Sequence, residues 1–301
     1  MMLFSFQFDN ENFGVGIETP EGQFNFTQIF EIYQNAKSVK ERMNFAFLQV
    51  MIELGIYTRA MIQKILSSPW VQAKMETLRL EPHFRYGVPI ARPSKIIALG
   101  RNYMAHIQEL QHEVPKEPLF FCKAPSALIA HEENIVIPEW LNTRVDHEAE
   151  LAVIIGKPCK NVSEENAMEY VGGYTILNDV TARDLQKEDI DHGNPWFRSK
   201  SIDTFCPMGP YFVPVDEIEN PQELEIELKV NGEIRQHSNT KHMIFPIPKV
   251  ISTISKYMTL YPGDIIATGT PEGVSPIKEN DVIEITISKL GTLRNRVIKQ
   301  K

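Results

Sequence analysis

Residues 144–155, Arg-Val-Asp-His-Glu-Ala-Glu-Leu-Ala-Val-Ile-Ile, decide how the rest of the chain is interpreted. Successive side chains of a strand point to opposite faces, so Asp146, Glu148 and Glu150 share one face. From Leu151 onward both faces are apolar, which predicts a strand that is buried on both sides. Carboxylates that lead into such a strand are unfavourable unless a cation or hydrogen-bond donors meet them. The stretch therefore indicates either a divalent cation held by oxygen ligands or an acidic strand end that faces solvent.

The composition is that of an ordinary globular protein, and it argues against several classes of function. The chain has 301 residues, of which 43% are hydrophobic and 23% are charged, enough for a large core and two domains. A formal net charge of -8 argues against a broad surface for nucleic acid or for anionic membranes. No apolar run is long enough to span a membrane, and the N-terminus does not resemble a signal peptide. Three widely spaced cysteines fit neither a disulfide framework nor a zinc site, so we expect free thiols and a cytoplasmic protein.

The first part of the chain, residues 1–90, is predicted to be a small domain rich in helices. Alternating residues at 3–8 and 13–18 predict two strands that are joined by a polar turn. Apolar residues recur at helical spacing over 37–54 and again over 58–79, where a Ser-Ser-Pro sequence interrupts the pattern. This part contains no pattern typical of a catalytic site, so we expect its helices to serve packing and partner contacts.

The second part, residues 91–301, follows a proline-containing linker and is predicted to consist mainly of strands. Short apolar runs alternate with turn signals, and the segment Val230–Glu233, with Asn-Gly at its centre, indicates a two-residue hairpin. A helix is expected after Pro248, followed by strands near 265–268 and 282–288. Many strands with few intervening helices favour an α+β, mainly β catalytic domain over a doubly wound sheet.

A histidine and a glutamate follow the predicted strand 96–99 at a spacing that suits acid–base chemistry. His106 and Glu109 are three residues apart, so one helical turn places them side by side. A histidine that is oriented by a carboxylate can act as a general base. A plain surface contact between the two side chains is the alternative.

Asp179 follows another apolar run, Tyr174–Leu177, and could be a third oxygen ligand beside Glu148 and Glu150. Three carboxylates with open positions suit Mg²⁺ or Mn²⁺, which keep water or substrate oxygens in their coordination shell. Alternatively, Asp179 caps a helix that begins near Thr181.

Several basic residues lie inside these motif-like segments although the chain as a whole is acidic. Arg198 and Lys200 are two residues apart, so they would share one face if their segment were a strand. Lys123, Arg183 and Lys200 together indicate a cationic pocket for a small substrate, because paired basic groups recognise carboxylates well. Solvated surface charge is the alternative for any one of them.

A glycine-rich segment, residues 263–274, contains a predicted strand and the turn that follows it. It lacks the Gly-Lys-Ser/Thr ending of a phosphate-binding loop, so it does not indicate a nucleotide site. Thr268 or Thr270 could donate a hydrogen bond to a bound carboxylate, and a plain tight turn is the alternative.

Five motifs, spread over residues 92–298, occur in the order in which the fumarylacetoacetate hydrolase family has them. The matching segments are Gly100-x-Asn102-Tyr103-x-x-His106-x-x-Glu109, Asp146-x-Glu148-x-Glu150-Leu151, Asn178-Asp179-x-Thr181-Ala182-Arg183-Asp184-x-Gln186, Lys200-Ser201-x-Asp203-Thr204-x-Cys206-Pro207 and Thr268-Gly269-Thr270-Pro271-x-Gly273-Val274. The chain therefore resembles this family, and residues 1–90 resemble the variable leader domain of its bacterial members.

The resemblance implies a mixed β-roll catalytic domain, a homodimer, and one Mg²⁺ or Mn²⁺ per subunit. The implied metal ligands are Glu148, Glu150 and Asp179. The implied catalytic residues are His106, Glu109 and Lys200. The implied substrate contacts are Tyr103, Lys123, Arg183, Gln186 and Thr270.

The activity that the resemblance implies is hydrolysis of a carbon–carbon bond in a 2,4-dioxo acid of the acylpyruvate or fumarylacetoacetate type. The metal and Lys200 would stabilise an enolate, and pyruvate would be a product of the acylpyruvate reaction. The same enolate would serve decarboxylation of oxaloacetate, or isomerisation or hydration of a 2-oxo dicarboxylate. A metal-binding scaffold without catalysis is the alternative of another class. The complete His106–Glu109 pair argues against a scaffold, because a scaffold needs no base.

Overall fold

The computed structural model describes residues 1–8, 13–37, 43, 45, 47–81, 83–109 and 113–300. Its strands are β1 Met2–Gln7, β2 Phe13–Thr19, β3 Gly22–Asn25, β4 Arg85–Gly87, β5 Ile96–Gly100, β6 Leu119–Lys123, β7 Leu128–Ile129, β8 Asn134–Ile137, β9 Val145–Asp146, β10 Ala149–Ile155, β11 Val171–Asn178, β12 Thr181–Ala182, β13 Cys206–Pro214, β14 Glu225–Val230, β15 Glu233–Asn239, β16 Ile265–Ala267, β17 Val282–Ile287 and β18 Gly291–Lys299. Its α-helices are α1 Phe26–Ala36, α2 Leu48–Glu53, α3 Arg59–Leu66, α4 Pro69–Gln72, α5 Met104–Glu109, α6 Arg183–Asp191, α7 Phe197–Lys200 and α8 Ile247–Tyr257. Within the described ranges, no helix has the length and apolar character needed to cross a bilayer.

An eleven-stranded sheet forms the centre of the molecule, with the main order β3-β2-β1-β13-β11-β10-β16-β5-β6. Strand β10 lies inside this sheet, pairs antiparallel with β11 and β16, and is buried along its whole length. Leu151 and Val153 belong to one apolar cluster, and Ala152 and Ile154 belong to the other. The prediction of a strand buried on both faces is therefore confirmed.

The two apolar clusters lie on opposite faces of the large sheet. One contains side chains of the first helices, such as Phe26 and Leu48. The other contains α8 and a five-stranded sheet of order β15-β14-β17-β18-β8, which contribute Ile251, Ile226 and Ile285. The prediction of an α+β, mainly β fold is confirmed, because two packed sheets supply most of the core.

The N-terminal strands belong to the same sheet as the later strands. Strand β1 pairs antiparallel with β13 through Leu3 opposite Phe212 and Phe4 opposite Tyr211. Strands β1–β4 therefore extend the large sheet, and the first helices pack on one of its faces. The division of the chain at residue 90 stays a prediction.

The first ninety residues also differ locally from the sequence prediction. The pattern over 37–54 yields helix α2 only, and part of that range lies outside the described residues, as does the predicted polar turn at 9–12. Strand β3 and helix α1 were not anticipated. Helix α1 begins after Asn25, whose side chain accepts a hydrogen bond of 3.1 Å from the Gln28 N–H, so a standard N-cap marks its start.

The later elements follow the sequence prediction closely. Asn231 and Gly232 have φ angles of 53° and 82°, and the β14–β15 hairpin closes around them as predicted. Helices α3 and α4 lie on either side of Ser67 and Ser68, where the helical pattern breaks. Helix α8 begins at Ile247, beside the expected Pro248.

Candidate active site

Three carboxylates from two neighbouring strands meet at one end of the large sheet. Glu148 immediately precedes β10, Glu150 is the second residue of β10, and Asp179 directly follows β11. Because Ala149 pairs with Asn178, the antiparallel ladder places Asp179 beside Glu148, and the Asp179 N–H donates to the Glu148 carbonyl at 2.9 Å. One oxygen from each of the three carboxylates lies within 4.8 Å of the others, and all three side chains are buried. The separate segments therefore form one acidic cluster, the carboxylate trio.

The helix-cap alternative for Asp179 is not observed. Helix α6 begins at Arg183, and its N-cap position is Ala182. Asp146, on the same face of the sequence pattern as the two glutamates, is not part of the trio. It accepts hydrogen bonds from Arg144 Nε at 2.7 Å and from Arg183 Nε at 2.8 Å.

Two buried lysines and one arginine contact the carboxylate trio. Lys200 Nζ lies 2.8 Å from Glu148 Oε2 and 2.6 Å from Asp179 Oδ2, and Arg183 donates to Glu148 Oε1. Lys123 Nζ lies 2.6 Å from Asp179 Oδ1 and also donates to the Lys200 carbonyl. Burial alone would raise the pKa of Glu148, but the charges of Lys200 and Arg183 outweigh it and hold that pKa well below its usual range. The ionised form of Glu148 is therefore favoured.

Glu150 has a different environment from Glu148. Its Oε2 accepts a hydrogen bond from the Gly269 N–H at 2.7 Å, whereas its buried Oε1 has no hydrogen-bond partner among the described residues. Burial, together with the charges of Asp179 and Glu148, raises the pKa of Glu150 well above its ordinary value. A buried carboxylate oxygen without a partner, next to two more carboxylates, is the donor set that a hard divalent cation satisfies. The residues present therefore fit Mg²⁺ or Mn²⁺.

His106 and Glu109 project from helix α5 as a hydrogen-bonded pair. His106 Nδ1 lies 3.3 Å from Glu109 Oε2, and the Glu109 carboxylate also accepts from the Gly273 N–H at 3.3 Å. His106 is buried, whereas Glu109 is 39% exposed, so one side chain of the pair lies inside the protein and the other at its surface. Burial lowers the pKa of His106 below its ordinary value, although the charges of Glu148 and Glu109 oppose this. The neutral imidazole, which is the form that accepts a proton, is therefore favoured.

A small cavity of about 50 Å³ is lined by His106 of the pair and by Glu148 of the trio. Its lining includes His106, Glu148, Arg183, Gln186, Lys200 and Thr270. Three of the five predicted substrate contacts, Arg183, Gln186 and Thr270, thus face the same space as His106.

The other two predicted substrate contacts, Lys123 and Tyr103, are not among the described residues that line this cavity. Lys123 is fully buried behind Asp179, so its position favours support of that carboxylate. Tyr103 is also buried and lines a neighbouring cavity beside α5, together with Glu272. Their roles as substrate contacts stay predictions.

The condition for a shared face of Arg198 and Lys200, that their segment is a strand, is not met. Residues 197–200 form the short helix α7, in which residues two apart point in different directions. Arg198 is 53% exposed and bonds to Asp189 Oδ1 at 2.7 Å, whereas Lys200 is 2% exposed and reaches the trio. Of the two candidate threonines, Thr268 donates to the Leu151 carbonyl at 2.9 Å inside the sheet, and Thr270 faces the cavity.

Some residues at the site were not found from the sequence. Arg101 and Trp196 line the cavity, and the Arg101 guanidinium lies 5.8 Å from the centre of the Trp196 ring. Arg101 lies inside the motif Gly100–Glu109, and Trp196 shortly precedes Lys200, so the sequence offered a signal that both residues are near the site. Gln236 bonds to Thr270 from strand β15 of the other sheet, and no local pattern marks it.

Comparison with known proteins shows which family has this arrangement. The family described as fumarylacetoacetate (FAA) hydrolase, C-terminal, matches residues 95–298. The chain belongs to the fumarylacetoacetate hydrolase family. An uncharacterised protein of Pyrococcus abyssi is 54% identical over 217 residues, which cover 72% of this chain and 96% of that protein.

Two further relatives have described reactions. An oxaloacetate tautomerase of Bacillus subtilis is 45% identical over 219 residues, which cover 69% of this chain and 71% of that protein. The crystal structure of maleylpyruvate hydrolase from Sphingobium sp. SYK-6, in complex with manganese(II) ion and pyruvate, is 31% identical with a TM-score of 0.77 and covers 100% of both chains. The predicted family and fold are confirmed. Because this enzyme family includes tautomerases and hydrolases, membership does not by itself fix the reaction.

Proposed function

We propose that this protein is a divalent-metal-dependent hydrolase that cleaves the bond between C3 and C4 of a 2,4-dioxo acid. The observation that carries the proposal is that His106 and Glu148 line the same cavity. His106 is bonded to Glu109, and Glu148 belongs to a carboxylate trio in which Glu150 Oε1 has no described partner. A base beside a cation site is what attack by water on a carbonyl requires. The maleylpyruvate hydrolase structure, which contains manganese and pyruvate, supports the same class of substrate.

The proposed cofactor is Mg²⁺ or Mn²⁺ on Glu148, Glu150 and Asp179. When bound, the ion would supply Lewis-acid stabilisation of negative charge at the 2-oxo group of the substrate. Lys200 adds a positive charge at the same place, because its ammonium group lines the cavity and touches two of the three carboxylates. Burial would lower the pKa of Lys200, but the charges of Asp179 and Glu148 raise it above its ordinary value, so this lysine stays protonated.

The chain's own residues would then divide the reaction into binding and proton transfer. Arg183 and Gln186 are bonded to each other at 2.7 Å and face the cavity, where they would orient a substrate carboxylate. Glu109 holds Nδ1 of His106, which leaves Nε2 to remove a proton from water. The resulting hydroxide adds to the C4 carbonyl. The C3–C4 bond then breaks, and its electron pair forms the enolate of pyruvate, which takes up a proton at C3.

Tautomerisation of oxaloacetate is the second candidate. The Bacillus subtilis tautomerase is 45% identical to this chain, compared with 31% for the maleylpyruvate hydrolase. Keto–enol exchange needs the same stabilised enolate and a group that moves the C3 proton, but it needs no attack by water. His106 would serve as that proton carrier in place of the water-activating base.

One set of assays separates these functions. Protein stripped of metal with a chelator, and protein reloaded with Mg²⁺ or Mn²⁺, would be incubated with acetylpyruvate, fumarylpyruvate and oxaloacetate. We expect metal-dependent loss of diketone absorbance with stoichiometric release of pyruvate. Keto–enol exchange of oxaloacetate without cleavage of either diketone would assign the tautomerase instead, and release of CO₂ from oxaloacetate would assign a decarboxylase. A metal-loaded protein that turns over none of the three would be a scaffold. The homodimer and the cytoplasmic location stay predictions from the sequence.

A further inference from the structure

Gln236, on strand β15 of the five-stranded sheet, connects the turn beside the cavity to the start of β10. Its side-chain amide group donates to Thr270 Oγ1 at 2.9 Å and to the Pro271 carbonyl at 2.8 Å. Its Oε1 accepts from the Ala149 N–H at 3.0 Å and lies 3.1 Å from His147 Nδ1. All hydrogen-bonding positions of this buried amide are therefore used, and they join two segments that flank the cavity.

A β-bulge in β15 aims Gln236 at this position. Gln236 is opposite Leu228, but the next pair is Ile234 opposite Lys229, so Arg235 is an extra residue in β15. Without the bulge, Ile234 and Gln236 would share a face. Instead, the apolar Ile234 is 56% exposed and the polar Gln236 is 1% exposed. The bulge therefore leaves the Ile234 side chain exposed and places the Gln236 amide inside the protein.

The turn packs directly on the bulge. A Cβ atom at Gly273 would lie 2.0 Å from the Arg235 carbonyl oxygen, and the φ angle of Gly273 is +91°, so only glycine fits there. The N–H of the same glycine donates to Glu109, the partner of His106. One turn, residues 269–273, thus places Thr270 at the cavity and the Gly273 N–H against Glu109.

We propose that Gln236 is a positioning residue, which sets the place of the 269–273 turn and, through it, the orientation of Thr270 and Glu109. The inference rests on the proposed function for its effect on turnover, but its effect on the turn is independent of any substrate. Gln236 does not line the cavity among the described residues, so it acts through the turn and not by touching the substrate.

The test compares Gln236→Met with Gln222→Met in the full-length, metal-loaded protein. Methionine has about the volume of glutamine but cannot form these hydrogen bonds. Gln222 is a matched control, because its amide also joins two segments, donating to the Thr240 carbonyl at 3.2 Å and accepting from the Ile247 N–H at 2.8 Å, away from the cavity. If Gln236→Met does not fold, Gln236→Glu replaces it, since a carboxyl group can donate to at most one of the two acceptors on the turn.

Hydrogen–deuterium exchange of peptides that contain residues 269–275 gives the first result. A neutral hydrogen bond changes an equilibrium roughly fivefold, so loss of the two bonds to the turn predicts about 25-fold faster exchange in Gln236→Met. Gln222→Met should leave exchange there unchanged. Wild-type exchange in the Gln236 variants, or equal acceleration in the Gln222 control, would overturn the proposal.

Steady-state kinetics give the second result. We expect kcat/KM of Gln236→Met to fall about tenfold or more, with changes in both KM and kcat, because Thr270 and Glu109 are both displaced. Unchanged kcat/KM would also overturn the inference. If the wild-type protein turns over no 2-oxo acid, the proposed function fails, and the exchange result alone decides the role of Gln236.

Discussion

The substitution Glu150→Gln should change the stability of the metal-free and metal-loaded protein in opposite directions. Glu150 is buried, one of its oxygens has no partner among the described residues, and two carboxylates lie beside it. The neutral amide removes the repulsion from the two neighbouring carboxylates, and its N–H group can donate to one of them, where leaving a buried polar group unpaired costs about 1–3 kcal/mol. We expect the free energy of unfolding of the metal-free protein to rise by about 2 kcal/mol. For a chain of 301 residues this raises Tm by about 3 °C.

The sign of the pH dependence follows from the raised pKa of Glu150. A proton on Glu150 stabilises the folded chain at low pH, and this contribution is lost as the pH rises through the raised pKa. The advantage of Glu150→Gln should therefore appear as the pH rises through this raised pKa. A divalent ion requires the ionised carboxylate, so its affinity for the wild-type protein should increase with pH, by at most tenfold per pH unit for this one proton. The glutamine variant should lose this dependence and bind Mn²⁺ at least about 100-fold more weakly, because even outer-shell partners are worth 10–100-fold.

Glu148→Gln is the matched control, because the same chemical change there removes the partner of Lys200 and Arg183. Breaking a buried ion pair costs about 3–5 kcal/mol, so the metal-free protein should lose stability. The measurements are thermal unfolding in excess chelator at neutral pH and calorimetric titration with Mn²⁺. If the two variants shift Tm in the same direction, or if Glu150→Gln keeps the wild-type affinity for Mn²⁺, the account of the trio is wrong.

Three further predictions concern the His106–Glu109 pair and the 269–273 turn. His106→Asn should keep Mn²⁺ affinity within about threefold but lower kcat for hydrolysis by about 100-fold or more, which titration and steady-state assays would check; normal hydrolysis would refute the base assignment. Because burial lowers the pKa of His106, the acidic limb of the kcat/KM profile should fall below the ordinary histidine value of about 6.5, and a limb above that value would contradict this. Gly273→Ala should cost at least about 2 kcal/mol and impair turnover, since its Cβ would meet the Arg235 carbonyl at 2.0 Å; unfolding midpoints and activity equal to wild type would show that the turn is not held there.

The sequence predicted the chemistry of the site better than its geometry. Alternation along a strand was enough to put Glu148 and Glu150 together, because side-chain direction in a strand has a fixed period. Asp179 stayed ambiguous, since its distance from the glutamates depends on the pairing of β10 with β11, which no local pattern specifies. The same limit applies to Arg198. Its segment forms a single helical turn, which is too short for a helical period to show in the sequence.

Residues that act through tertiary contacts were the hardest to predict. Lys123 ends an apolar strand and was assigned to substrate, but its buried ammonium group contacts Asp179. Gln236 carries no motif, and its inward direction arises from a bulge that only the register of β15 against β14 reveals. Sequence patterns show which side chains are present and whether their spacing fits a helix or a strand. The contacts of Lys123 and Gln236 depend instead on which distant backbone segments pack together.

The pairing of β1 with β13 determines when the chain can complete its largest sheet. Leu3 and Phe212 are adjacent in that ladder although about two hundred residues separate them along the chain. During synthesis, the first strand leaves the ribosome long before its neighbour exists, so one edge of β1 stays unpaired until β13, residues 206–214, has been translated. Contacts of such long range close late and slowly. Expression at reduced temperature, or with chaperones that shield strand edges, should therefore raise the yield of folded protein.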